Sequence, residues 1–317
     1  MSFEKDATNS GLFGKFFGDI ALFGVNLHRT IVFVNENFEN KTPGAVIFLY
    51  PHPYQGDPHQ ATPTDDYLNN LNKLVAQAKP YGIVIQVCLF MHHSVANDFA
   101  TTPAPIVLSG SPAQRYKDFY NTTSLFQPMQ KNLIDKVVAK LNGHWNVVYE
   151  VGNELRVPGP IAGYDKTNLT AWIDWAAARI RMTSPTHLIT TSTGIDNESD
   201  VNHLARIQFC SFHQGQWKAN LNAAVLRGQN NYGGKHVVLD DDGGSRLIES
   251  VRTWSSAALN ANDGCRASFN HKGFSPTNAY DPNWRYQLPE AGESQPGLAL
   301  DALRTARRTS TSPCAEN

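Results

Sequence analysis

Short apolar runs rich in Val, Ile and Phe alternate along this chain with longer segments in which apolar residues recur every three or four positions. Runs of the first kind read as strands buried on both faces, and segments of the second kind as amphipathic helices. The candidate strands are 19–24 (or 30–34), 45–50, 83–90, 146–151, 187–191, 207–212, 236–241 and 266–270, eight in all. Helical stretches fall at 65–79, 128–141, 168–182, 200–205, 217–227, 246–261 and 297–307. Within 65–79, Leu68, Leu71, Leu74, Val75 and Ala78 share one face, as do Ile134, Val137, Val138 and Leu141 within 128–141.

Strand and helix alternating over roughly 250 residues predict an α/β fold, a (β/α)8 TIM barrel. One such domain is expected to span 1–317, with a frayed tail from about 308. A doubly wound sheet would carry a glycine-rich phosphate loop after its first strand, and neither G-x-G-x-x-G nor G-x-x-x-x-G-K-S/T occurs. The span 30–44 is too short for a full first helix, so the first βα unit is expected to be abbreviated or irregular.

The 27 Lys and Arg residues nearly balance 28 Asp and Glu, for a net charge of −1, which removes the electrostatic basis for a nucleic-acid partner. With 41% hydrophobic and 17% charged residues the chain can build a large core. No apolar run approaches the roughly 18 to 20 residues of a membrane span, so no membrane partner is expected. The most apolar early stretch, 12–25, is interrupted by Lys15 and Asp19 and fails as a signal-peptide core. The expected chain is soluble, secreted if a leader was removed and cytoplasmic otherwise; its oligomeric state is unreadable. Cys88, Cys210, Cys265 and Cys314 show no C-x-x-C pairing, which argues against a zinc site or disulfide framework.

In a barrel of this kind the active site forms at the C-terminal ends of the strands. The residues there are markedly polar: His52, His92, His93, Asn153, Glu154, His213, Gln214, Asp240, Asp241, Asp242, Asn270 and His271. Val147 to Glu154 is an alternating strand that ends in an amide beside a carboxyl, with Val148, Glu150, Gly152 and Glu154 expected on one face. A partly desolvated carboxyl there is a candidate general acid, and Asn153 could orient a sugar hydroxyl. His236 to Gly244 is a second apolar strand, running into three acids and two glycines. Alternation groups Val237, Leu239 and Asp241, which selects Asp241 as the inward acid; a helix N-cap or a cation-binding turn is the alternative. Two carboxylates facing across a barrel mouth suit cleavage of a glycosidic bond, retaining at about 5 to 5.5 Å separation and inverting at about 6.5 to 9.5 Å.

These motifs resemble the clan A glycoside hydrolases, the cellulase-like superfamily, whose members end strand four in Asn-Glu and strand seven in a catalytic carboxylate. The resemblance implies Glu154 as acid/base and Asp241 as nucleophile, on Asn153-Glu154 and the apolar run before Asp241. It implies sugar contacts from His92 or His93 after strand three and from His213 after strand six. There are three departures. Strand seven ends in Asp where the family has Glu; the predicted second strand, 45–50, lacks the family's Arg; strand eight ends in Asn270-His271 where relatives place a Trp. Tyr54 and Trp217 join Gln214, Asn270 and His271 as candidate substrate contacts, and 94–127 reads as an elaborated loop.

The reading is therefore an O-glycosyl hydrolase acting on an oligo- or polysaccharide with no cofactor and no metal. Two alternatives stand beside it. One is a catalytically impaired barrel that binds carbohydrate; the other is a metal-dependent barrel hydrolase using His92, His93, His213, His271 and a strand-seven Asp.

Overall fold

The computed structural model describes residues 14, 17, 18, 21, 27–32, 54–57, 59–92, 95, 111–157, 159–192, 201–213 and 236–241. Along them run β1 (Leu27–Ile31), β2 (Tyr54–Gln55), β3 (Thr62–Pro63), α1 (Asp65–Ala78), β4 (Val84–Met91), α2 (Pro112–Phe119), α3 (Gln127–Leu141), β5 (Val147–Asn153), α4 (Lys166–Thr183), β6 (Ile189–Thr190), β7 (Phe209–His213) and β8 (His236–Asp241). The predicted strands 266–270 and 45–50, and the helices beginning at 217, 246 and 297, lie outside the described residues.

Strands β1, β4, β5 and β6 form one parallel sheet in that order, and β7 pairs in parallel with β8. A parallel bridge between Ser192 and Ser211 joins the two, helped by the Gln208 N–H donating to the Ile189 carbonyl at 2.8 Å. Six strands thus follow one another side by side, all parallel, as staves of a barrel do.

Two faces result from the alternation along these strands. Outward, Ile85, Val87, Tyr149, Val151 and Ile189 join the apolar stripes of the helices in one continuous core. Helix α1 buries Leu68, Leu71, Leu74, Val75 and Ala78, the face its spacing predicts, and starts at Thr64, whose side chain accepts from the Tyr67 N–H at 3.3 Å. Helix α4 opens with a reciprocal capping box between Asp165 and Asn168 and buries Trp172 completely. Inward, Leu27, Val84, Val148 and Phe209 pack together as a small apolar layer.

The start of the chain differs from expectation. Phe17, Gly18 and Ala21 are helical, Ala21 being the one described residue of the strand expected at 19–24, and the strand proposed at 30–34 lies earlier, at Leu27–Ile31. Leu27 pairs with Val84 and Ile31 with Cys88, so no strand from 45–50 intervenes between β1 and β4. The strand was misplaced because its centre, His28-Arg29-Thr30, is polar and interrupts any apolar run. The stretch 94–127 also holds more than a loop: Ser111 accepts from the Gln114 N–H and Pro112 occupies the first turn of α2.

Candidate active site

The upper interior, two residues above the apolar layer on each strand, is polar. Glu150 on β5 is completely buried, and Arg29 on β1 reaches it with two parallel hydrogen bonds, Nε to Oε2 at 2.6 Å and Nη2 to Oε1 at 2.5 Å. Gln86 on β4 donates to Oε2 at 3.0 Å, and the Ser192 hydroxyl donates to Oε1 at 3.0 Å. A forked guanidinium held by a carboxylate is a strong, directional pair, and its charges offset one another in the low-dielectric interior.

Two further bonds carry this cluster to the end of β5. The Arg29 Nη2 also donates to Asn153 Oδ1 at 2.7 Å, and Ser192 Oγ accepts from the Glu154 N–H at 2.9 Å. Asn153 is buried and Glu154 half-buried. Glu154 has φ of 50°, the only positive φ at a non-glycine among the described residues, and a side chain takes that conformation only where its surroundings fix it. The neighbouring backbone is fixed on both sides: Ser192 N–H donates to the Gly152 carbonyl and Leu155 N–H to the Ser192 carbonyl, each at 3.1 Å. Strict alternation therefore ends at Gly152, and Asn153 turns to the same guanidinium as Glu150.

The second carboxylate strand, β8, ends at Asp241 as its pattern predicts. Phe212 pairs with Leu239 and His213 with Asp241, so Asp240 is an extra residue in the register. The grouping of Asp241 with Val237 and Leu239 is corrected by this bulge: Asp241 takes the register position of His213, which alternates with Ser211.

The other expected site residues fall differently. His92 follows β4 and is buried, its ring tilted against Tyr116 at 5.2 Å between centroids. Burial among Tyr120 and Tyr164 pushes the Tyr116 phenol well above its ordinary range. Tyr120 in turn donates to the Met91 carbonyl at 3.0 Å, which fastens α2 against the end of β4. His92 thus packs against α2. Tyr54 lies on β2, paired with Pro63. His93, Gln214, Trp217, Asn270 and His271 lie outside the described residues. Among the described residues no group of three His, Cys, Asp or Glu side chains is placed to hold a metal ion. A cavity of about 530 Å³ lined by His144, Trp145, Val147, His187 and Leu188 opens at the start of β5, the opposite end from Glu154. In barrels that end serves stability.

The sequence reading missed Arg29, Gln86, Glu150 in its bonded role, and Ser192. The one signal available was an Arg with apolar residues two positions away on each side, in Leu27-His28-Arg29-Thr30-Ile31. Arg29 lies on the strand that pairs with β4.

No protein-family model and no curated protein matches the chain in sequence. Solved structures match it in fold. It is similar to the β-mannanase of the blue mussel Mytilus edulis, at 12% identity over 98% of this chain and 89% of that one, with a TM-score of 0.60. It is similar to an endo-1,4-β-mannanase from Rhizomucor miehei, at 15% identity, 86% and 90% coverage and a TM-score of 0.59. A Bacteroidetes-affiliated family 5 cellulase linked with a polysaccharide utilization locus aligns at 13% identity, 95% and 85% coverage and a TM-score of 0.62. The chain has the (β/α)8 barrel fold of these structures. No helix among the described residues is long and apolar enough to cross a membrane.

Proposed function

We propose that this barrel hydrolyses O-glycosidic bonds of an oligo- or polysaccharide, with Glu154 as general acid/base and Asp241 as nucleophile or general base. The observation that carries the reading is the fixed end of β5, where Glu154 is half-buried in a strained conformation beside an Asn153 whose amide oxygen is held by Arg29. Holding Oδ1 this way turns the amide NH2 away from Arg29, leaving a donor beside the acid for a sugar hydroxyl.

In the proposed reaction the protonated Glu154 carboxyl gives its proton to the glycosidic oxygen as the C–O bond breaks. Asp241 either attacks the anomeric carbon, forming a glycosyl ester that water then hydrolyses with Glu154 as base, or takes the proton of an attacking water directly. Either route consumes one water per bond and needs no cofactor.

The fold likeness to mannanases and a cellulase makes β-1,4-mannan and β-1,4-glucan oligosaccharides the first substrates to test. Expected is release of reducing ends by the wild type and its loss in Glu154→Gln. Equal activity of the two proteins would overturn the assignment. Binding of these sugars without turnover by either protein would identify a carbohydrate-binding barrel, the reading favoured by the shorter Asp at the end of β8.

A further inference from the structure

We propose that Glu150, which the reaction does not itself employ, is the positioning residue of the acid site, setting both Asn153 and Glu154 from beneath. The inference rests on Glu154 being the acid/base.

A carboxylate offers about four lone-pair directions. Those of Glu150 receive Arg29 Nε, Arg29 Nη2, Gln86 Nε2 and Ser192 Oγ, all within 3.0 Å, and the side chain is fully buried. Such a group reaches neither substrate nor water, so it acts only through its partners. Two of those partners end on the proposed machinery. Arg29 passes from Glu150 to Asn153 Oδ1, fixing which way the amide faces. Ser192 spends its single hydroxyl proton on Glu150 and so presents a lone pair to the Glu154 N–H, at the one described non-glycine residue with positive φ. Without the Glu150 acceptor, the Ser192 hydroxyl keeps only the longer contact to the Gly152 carbonyl, at 3.5 Å, and the oxygen that holds the strained backbone is less firmly placed.

The placement also separates positioning from mere packing. Two residues lower on the same strands the interior is apolar, with Leu27 below Arg29, Val84 below Gln86 and Val148 below Glu150. The charged layer begins only where the strands approach Asn153 and Glu154. Stability alone would be served by continuing the apolar layer, since well-packed apolar groups commonly match or exceed a buried ion pair.

The test uses the leaving group. A general acid is needed to expel a sugar alkoxide, but not a dinitrophenolate, which leaves without protonation. Kinetics are measured for the wild type, Glu154→Gln, Glu150→Gln, Glu150→Asp and Ser192→Ala on a β-1,4-linked oligosaccharide and on the corresponding 2,4-dinitrophenyl glycoside. Glu150→Gln is expected to lower kcat/KM, which reports the step that expels the leaving group, roughly 100-fold on the oligosaccharide, within the range of general acid catalysis, with a much smaller loss of kcat/KM on the aryl glycoside. Glu150→Asp should recover part of the loss. Ser192→Ala, which leaves the ion pair intact, should discriminate in the same direction and serves if Glu150→Gln does not fold. Equal losses on both substrates, or wild-type rates, in Glu150→Gln and Ser192→Ala would overturn the positioning role. If those results accompany strong discrimination by Glu154→Gln, positioning alone fails; if Glu154→Gln shows none, the acid assignment fails and takes this inference with it.

Discussion

His213 and Asp241 are paired in the register of β7 and β8, and the residue between Leu239 and Asp241 has no counterpart on the partner strand. Of three consecutive acids, one therefore takes a defined place at the end of a stave while its neighbour Asp240 occupies the bulge. Bulges re-aim the residues that follow them and recur beside active sites.

This difference predicts opposite outcomes for two adjacent substitutions. Asp241→Asn should lower kcat on an oligosaccharide by roughly 10²- to 10⁴-fold, the scale of a lost acid/base or nucleophilic group, whereas Asp240→Asn should stay within about threefold of wild type. Steady-state kinetics of the two purified variants decide it. A larger loss from Asp240→Asn would move the role to the bulge residue.

The helices α1, α3 and α4 were legible because their apolar residues obey a three-and-four spacing that only a helix turns to one side. Asn153-Glu154 was legible because a strand reading ends there. The polar layer inside the barrel was not. Arg29 and Glu150 lie 121 positions apart, and each alone reads as a charge that breaks an apolar run. Only the neighbouring of β1, β4 and β5 turns two interruptions into a pair. The bulge before Asp241 was hidden for a related reason: alternation is a property of one strand, and the extra residue exists only relative to its partner.

The same pair makes a prediction about stability. Arg29 is only 8% exposed and Glu150 not at all, so Arg29→Met leaves a buried carboxylate without its counter-charge. It should cost about 3 to 5 kcal/mol, while Arg29→Met with Glu150→Leu should recover much of that, because no charge remains buried. Urea unfolding of the two single variants and the double variant closes the cycle. A double variant no more stable than the worse single one would contradict it. The recovered protein should remain inactive on oligosaccharides, since Asn153 and Ser192 have lost their anchors.

Gly152 is required by close packing. A Cβ added there would lie 2.8 Å from Leu155 Cδ1 and 3.0 Å from its Cγ, nearer than carbon atoms approach. Gly152→Ala should therefore destabilise the protein by roughly 1 to 3 kcal/mol and disturb the Glu154 backbone two residues on. Pairing it with Leu155→Ala removes the obstructing atoms, so the double variant should cost less than the sum of the two single changes. Additivity in urea midpoints would show that the contact is not what excludes a side chain.

His28 points the opposite way from Arg29, buried on the outer face of β1 with the Phe17 ring edge-on at 5.7 Å. Burial lowers its pKa from 6.5 to about 4, so the folded chain keeps the imidazole neutral where the unfolded chain binds a proton. The folded form thus binds fewer protons between these values, and its stability falls as pH drops from about 6.5 towards 4, by about 3 kcal/mol in total. Above pH 6.5 the contribution is complete and flat. His28→Gln, neutral throughout, should lose that part of the acid sensitivity while other groups retain theirs. Urea midpoints at pH 7.5 and pH 4.5 should therefore move less in His28→Gln than in the wild type. Equal displacements would show that His28 titrates alike in the folded and unfolded chains.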